Sequence, residues 1–87
     1  SSVARWRAEA WFAYQSGDLD QARDTYLGLL DKLPGDENAT LNLVTIEQQL
    51  QQPARARAVL EASLRRNRDS VALRAALERL NLGGAGR

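Results

Sequence analysis

Any chemistry in this chain has to come from carboxylates, guanidiniums, amides, hydroxyls and aromatic rings, because its 87 residues include neither histidine nor cysteine. That removes the side chain best suited to proton transfer near neutral pH, the thiol nucleophile and the commonest metal ligands. Catalysis would need a carboxylate pair or an activated serine or lysine instead. Asp18, Asp20, Asp24 and Asp31 fall on turns and helix exteriors, where they read as caps and solvated charges. Gly83, Gly84 and Gly86 have no helix after them, so they do not form a phosphate loop. We therefore expect no enzyme activity, no metal site and no cofactor.

The chemistry that remains is that of binding. Trp11 lies five residues after Trp6, so on a helix the two rings point about 140° apart and cannot share one face. Trp11 is then either an exposed anchor or a plug between helices. Tyr14 carries the same two readings. The arginines Arg55, Arg57, Arg65, Arg66 and Arg68 could neutralise phosphates. Against that, Arg57, Glu61 and Arg65 are spaced for an i, i+4 ladder. Arg65, Arg66 and Arg68 lie at a helix C-terminus, where the macrodipole favours cations. The net charge is only +1, and no aromatic residue interleaves for base stacking. Nucleic acid is accordingly not expected as a partner.

These side chains are positioned by five segments of helical apolar spacing, separated by breakers: Ser16-Gly17-Asp18, Leu33-Pro34-Gly35-Asp36, Gln51-Gln52-Pro53 and Asn67-Arg68-Asp69-Ser70. The apolar faces are Val3, Trp6, Ala10 and Ala13; then Leu19, Ala22, Tyr26, Leu29, Leu30 and Leu33. Ala39, Leu43, Ile46 and Leu50 follow, then Ala56, Val59, Leu60 and Leu64, and finally Leu73, Ala76, Leu77 and Leu80. Steps of three and four recur throughout, so no strands are expected. Asp18 can cap the second helix with Gln21 completing a capping box, and Asp36 can cap the third. Pro53 suits the first turn of the fourth helix, and Asp69 or Ser70 can cap the fifth. Such short loops force antiparallel helical hairpins.

Composition fits one small domain, with 44% hydrophobic and 26% charged residues. No apolar run approaches the roughly 20 residues of a membrane helix, so no direct membrane contact is expected. Residues 1–36 carry four basic and six acidic side chains, and residues 37–87 carry eight and five. Eleven of the twelve basic residues are arginine. The bias toward arginine, alanine and leucine over lysine and isoleucine points to a bacterial protein, with cytoplasm and periplasm both open. The chain contains no methionine, even at position 1, so it is expected either to begin at a processed end or to be excised from a longer protein.

Sliding residues 3–36 onto 37–70, an offset of 34, aligns Gln15 with Gln49, Ala22 with Ala56, Arg23 with Arg57 and Leu30 with Leu64. Ala10 then falls on Val44, Phe12 on Ile46 and Tyr26 on Leu60. On these residues the chain resembles the tetratricopeptide repeat family, a 34-residue helix–turn–helix unit. Trp6, Ala10, the stretch Gly17-Asp18-Leu19-Asp20-Gln21-Ala22, Tyr26 and Pro34 match the family pattern in the first unit. The second unit departs at Gln51, Pro53 and Arg68, and holds at Ala56 and Leu60. Glu9 departs where the family places leucine. The resemblance implies an all-α fold of five helices, stacked as a short right-handed superhelix in a single domain over 1–87. Residues 3–36 form one repeat and 37–70 the next. Residues 71–82 form a capping helix or the first helix of a third repeat, and 83–87 a flexible tail.

In such a stack the first helix of each hairpin lines the concave side. The resemblance therefore implies a non-catalytic scaffold that holds a partner peptide or helix in a groove formed by Arg7, Trp11, Tyr14, Asn42, Thr45, Gln49 and Arg79. Some members grip C-terminal carboxylates with a clamp of basic and amide residues. Here Arg7 and Asn42 fall at two clamp positions and Trp11, Ala72 and Ala76 at the other three, so that mode is not expected. Arg7 then reads as a solvated side chain. Among bacterial members the resemblance implies pilus, secretion or envelope assembly. The alternative is self-association as a homodimer, with Leu73, Leu77 or Leu80 of the C-terminal helix buried across a two-fold axis.

Overall fold

The computed structural model describes residues 1–85, with side-chain detail for residues 1–83. Five α-helices follow one another: α1 (Ser2–Gln15), α2 (Leu19–Lys32), α3 (Glu37–Gln49), α4 (Pro53–Arg66) and α5 (Val71–Ala85). There is no strand among the described residues. α1 pairs with α2 and α3 with α4 as antiparallel hairpins; α3 also packs on α2, and α5 on α4 and α3. The result is a flattened body of 38 × 28 × 15 Å. No helix among the described residues is long and apolar enough to cross a membrane.

The helix ends repeat their chemistry at the 34-residue offset. Asp36 caps α3 by accepting from the Ala39 amide at 2.9 Å, and Ser70 caps α5 by accepting from the Leu73 amide at 3.1 Å. Asp18 caps α2 through the Gln21 amide at 3.2 Å. The Gln21 side chain does not complete the capping box, because its amide donates to Thr25 Oγ1 instead. Pro53 opens α4, whose N-cap residue Gln52 makes no side-chain cap bond.

The turns inside the two hairpins also superimpose in their bonding. Gly17 donates to the Tyr14 carbonyl and Asp18 to the Ala13 carbonyl; Gln51 donates to Gln48 and Gln52 to Glu47. Both turns need a left-handed residue, which is Gly17 at φ 83° in the first and Gln51 at φ 59° in the second. The second hairpin thus makes the same turn as the first without a glycine, and Gln51 holds a conformation that costs a residue with a Cβ about 1 kcal/mol. Gly35, at φ 83°, is needed for space as well. A Cβ there would lie 2.7 Å from Cβ of Arg66.

Every residue of the five apolar faces is buried or packed against one of two clusters, except Leu33, which is half-buried. Ala10, Ala22, Tyr26, Leu29, Leu43 and Ile46 lie in the first, which joins α1, α2 and α3. Val44, Ala56, Leu60, Leu73 and Ala76 lie in the second, which joins α3, α4 and α5. Ala22 and Ala56 are fully buried, as close helix approach requires. Within the first hairpin Trp6 lies across Gly28, only 3.1 Å from where a Cβ would stand. Thr40 and Ser63, the 34-residue counterparts of Trp6 and Leu29, instead share a buried hydrogen bond of 2.6 Å.

Two expectations change, and one aligned pair differs in burial. α5 runs to Ala85, past the boundary at 82 set for it, because Gly83 and Gly84 continue the helix; residues 86 and 87 of the expected tail lie outside the described residues. Phe12 is 72% exposed although its counterpart Ile46 is fully buried. Ile46 reaches Tyr26 and Leu29 of the hairpin before it, whereas the same face of α1 is open. The Arg57–Glu61–Arg65 ladder does not form among the described residues: Arg57 donates to Asn81 Oδ1 of α5. A well-placed acceptor across the helix interface holds the guanidinium better than an exposed i, i+4 partner.

The turn geometry yields a sign test. Gln51→Gly should stabilise the fold by about 1 kcal/mol, raising Tm by about 5 °C, whereas Gly35→Ala should lower it by more than that. Thermal unfolding followed by circular dichroism reads both, and a Gln51→Gly variant that melts lower would contradict the strain at this turn.

Candidate functional site

The residues expected to form a groove lie on α1, α3 and α5, and four of them meet. Trp11, Tyr14, Asn42 and Thr45 line one open hollow of about 220 Å³. Trp11 is 49% exposed, and its ring lies 5.5 Å from that of Tyr14 at a 31° tilt. Such a pair holds a large apolar surface in place at low conformational cost. Its orientation is fixed from α3, where Gln49 Nε2 donates to Tyr14 Oη at 3.0 Å. Asn42 Nδ2 donates to Tyr26 Oη at 3.1 Å, so the amide on the floor is held by the hairpin core. Burial pushes the Tyr26 hydroxyl above its ordinary value, opposed by the Asn42 hydrogen bond. Thr45 Oγ1 donates to the Leu41 carbonyl of its own helix.

The tryptophans divide as their spacing predicts. Trp6 is half-buried against Gly28 with the Lys32 ammonium 5.4 Å from its ring centre. Trp11 lies between the two readings: it is half-exposed, beside Tyr14, and forms one wall of the hollow that Asn42 and Thr45 of α3 also line.

Arg7 is neither a groove cation nor a solvated side chain. Its Nη1 donates to Asp36 Oδ2 and its Nη2 to Asp36 Oδ1, both at 2.8 Å. Nη1 also donates to Asn38 Oδ1 at 2.9 Å. A planar guanidinium matches a carboxylate in this two-pronged way. The reason it is found here is positional: Asp36 must stand at the start of α3 to cap it, and Arg7 on α1 lies opposite. The pair raises the Arg7 guanidinium above its ordinary value through the Asp36 hydrogen bond. The same bond from Arg7 holds the Asp36 carboxyl below its ordinary value, with burial opposing and the Ala39 amide assisting.

Arg79 stands apart from the aromatic residues, yet Thr45 links them. Thr45, Leu41, Val44, Gln48, Ala76, Leu80 and Arg79 line a second hollow of about 400 Å³ between α3 and α5. The leucines of the self-association alternative are engaged inside the molecule. Leu73 is fully buried, and Leu77 and Leu80 pack on the second cluster, because α5 covers the second hairpin as α3 covers the first.

One buried ionic group lies outside all sequence expectations. Glu47 of α3 is 2% exposed, and its Oε1 lies 3.3 Å from Arg55 Nε. The two are near enough for charge pairing but not aligned for a hydrogen bond, so Oε1 has no donor. The available signal was that Glu47 aligns with Ala13, a small apolar position of the first hairpin.

A family model described as tetratricopeptide repeat matches residues 7–80. Neither a curated protein nor a solved structure gives a match.

The Arg7–Asp36 pair predicts a pH-dependent stability. Because the folded carboxyl titrates below its unfolded value, its stabilisation is present above about pH 4 and lost as the pH falls through the lower folded value. Asp36→Asn keeps a cap but loses the charge-assisted pair, and should lower stability by about 1.5 kcal/mol at pH 7. Urea unfolding from pH 7 to pH 3 should show that gap closing below about pH 4. A gap of constant size would remove the carboxylate charge as its source.

Proposed function

The chain belongs to the tetratricopeptide repeat family, and from that premise we propose that it holds a segment of a partner protein against α1, α3 and α5. Repeats of this family generally mediate protein–protein interactions and are typically non-catalytic. The reading commits to a peptide or a helix as ligand, with Trp11 and Tyr14 as the anchor wall, and Asn42, Thr45 and Gln49 around it. Arg79 stands at the far side of the adjoining hollow. Arg7 serves this surface by holding α1 to the start of α3.

The observation that carries the reading is the half-exposed Trp11 ring, braced by Tyr14, over an open hollow with amide and hydroxyl groups in its lining. Apolar area beside a few directed polar groups is the pattern of a peptide-binding surface. An extended segment or an amphipathic helix would set one apolar side chain against the rings. The arginine- and alanine-rich composition supports a bacterial scaffold, and pilus, secretion or envelope assembly is the setting this reading favours.

The test is selection from a random peptide library followed by calorimetric titration. Trp11→Ala should weaken the selected peptides by about 30-fold, the size of a central anchor, while the circular dichroism melt shifts little. Peptides that bind Trp11→Ala as tightly as wild type would sink the groove reading.

A further inference from the structure

The track that begins at Trp11 ends in a third hollow. This one, of about 360 Å³, shares Gln48, Arg79 and Leu80 with the second and is completed by Pro53, Ala54, Arg57 and Gly83. Among the described residues its lining holds two guanidiniums and no carboxylate. Neither arginine forms an ion pair among the described residues. Among the described residues the partner of Arg57 is the neutral Asn81 amide, which positions the group without cancelling its charge. Glu47, the buried carboxylate of α3, faces Arg55 and does not line the hollow.

Two uncompensated guanidiniums in a recess attract an anion, and their donor geometry favours a carboxylate. The apolar floor of Pro53, Ala54 and Leu80 accommodates the methylene stem that carries such a group. The charge pattern agrees: residues 37–87 hold eight basic against five acidic side chains, whereas residues 1–36 hold four against six. An acidic side chain is drawn to this end of the track and repelled from the other.

We propose that Arg57 and Arg79 form a subsite for an aspartate or glutamate side chain of the bound partner segment, at the opposite end of the track from the Trp11–Tyr14 wall. This rests on the groove reading and adds polarity to it. An apolar residue of the segment sits at α1 and an acidic one between α4 and α5, so the segment can lie in only one direction.

The test uses peptides selected from the same random library. The wild-type protein should recover sequences with an acidic residue at a constant spacing from an apolar one. For one such peptide, Arg79→Gln should weaken binding about tenfold, and replacing the peptide's acid by its amide should do the same. The two changes together should cost no more than either alone, because they remove the same contact. Arg79 has no hydrogen-bond or ion-pair partner among the described residues, so its variant should melt like wild type, and Arg65→Gln serves as a control of equal charge. Additive losses, or an equal loss in Arg65→Gln, would overturn the subsite in favour of diffuse charge. Tighter binding of a phosphoserine peptide than of the glutamate peptide would overturn the carboxylate assignment. Selected peptides that need Trp11 but show no acidic preference would remove the subsite and leave the groove. Recovery of no Trp11-dependent peptide would overturn both.

Discussion

The separation of α1 from α3 decides whether the surface between them is a wall or a recess, and Asp36 fixes it. A single carboxylate caps the α3 N-terminus through the Ala39 amide and receives both prongs of Arg7 from α1. Helix start and helix spacing are thereby set by one residue. The aromatic hollow depends on this arrangement, since Trp11 and Tyr14 stand on α1 while Asn42, Thr45 and Gln49 stand on α3. The apolar core supplies the larger part of the cohesion. It does not by itself fix how far apart the polar faces of two helices lie.

The two hairpins reach the same backbone with different side chains. In the first, Trp6 fills the space over Gly28; in the second, Thr40 and Ser63 exchange a hydrogen bond. Gly17 makes one turn without strain and Gln51 makes the other with it. Glu47 stands where the first hairpin has Ala13, and Arg55 comes with it. A repeat fold tolerates such exchanges because each unit has only to match its neighbours' surface. The consequence is a chain whose pattern is plain in one unit and faint in the other, while both fold alike.

The ends of the stack differ in kind. At α1 the face equivalent to Ala39, Leu43 and Ile46 carries Arg5, Glu9 and Phe12, all exposed. At α5 the positions equivalent to Thr40, Val44 and Glu47 carry Arg74, Glu78 and Asn81, also exposed. Both outer faces mix charged and polar groups with exposed apolar ones, Phe12 at α1 and Val71 and Leu82 at α5. Leu73, Leu77 and Leu80 face inward, as a covering helix requires.

The sequence by itself determined the five helices, their turns, most of their caps and their apolar faces. Those depend on spacing along the chain and on the local chemistry of Asp, Ser, Pro and Gly. It also separated the buried-side Trp6 from Trp11, since the helical angle between them follows from their numbers. What it left to the tertiary structure were the partners of charged side chains. Arg7 read as a groove cation or a solvated residue and is held by Asp36. Arg57 read as part of a ladder within its helix and reaches Asn81 on the next. Glu47, in no expectation, is buried beside Arg55. Long ionic side chains can reach several neighbours, so their choice is made by which helices lie side by side, and that is decided by packing between residues distant in the chain.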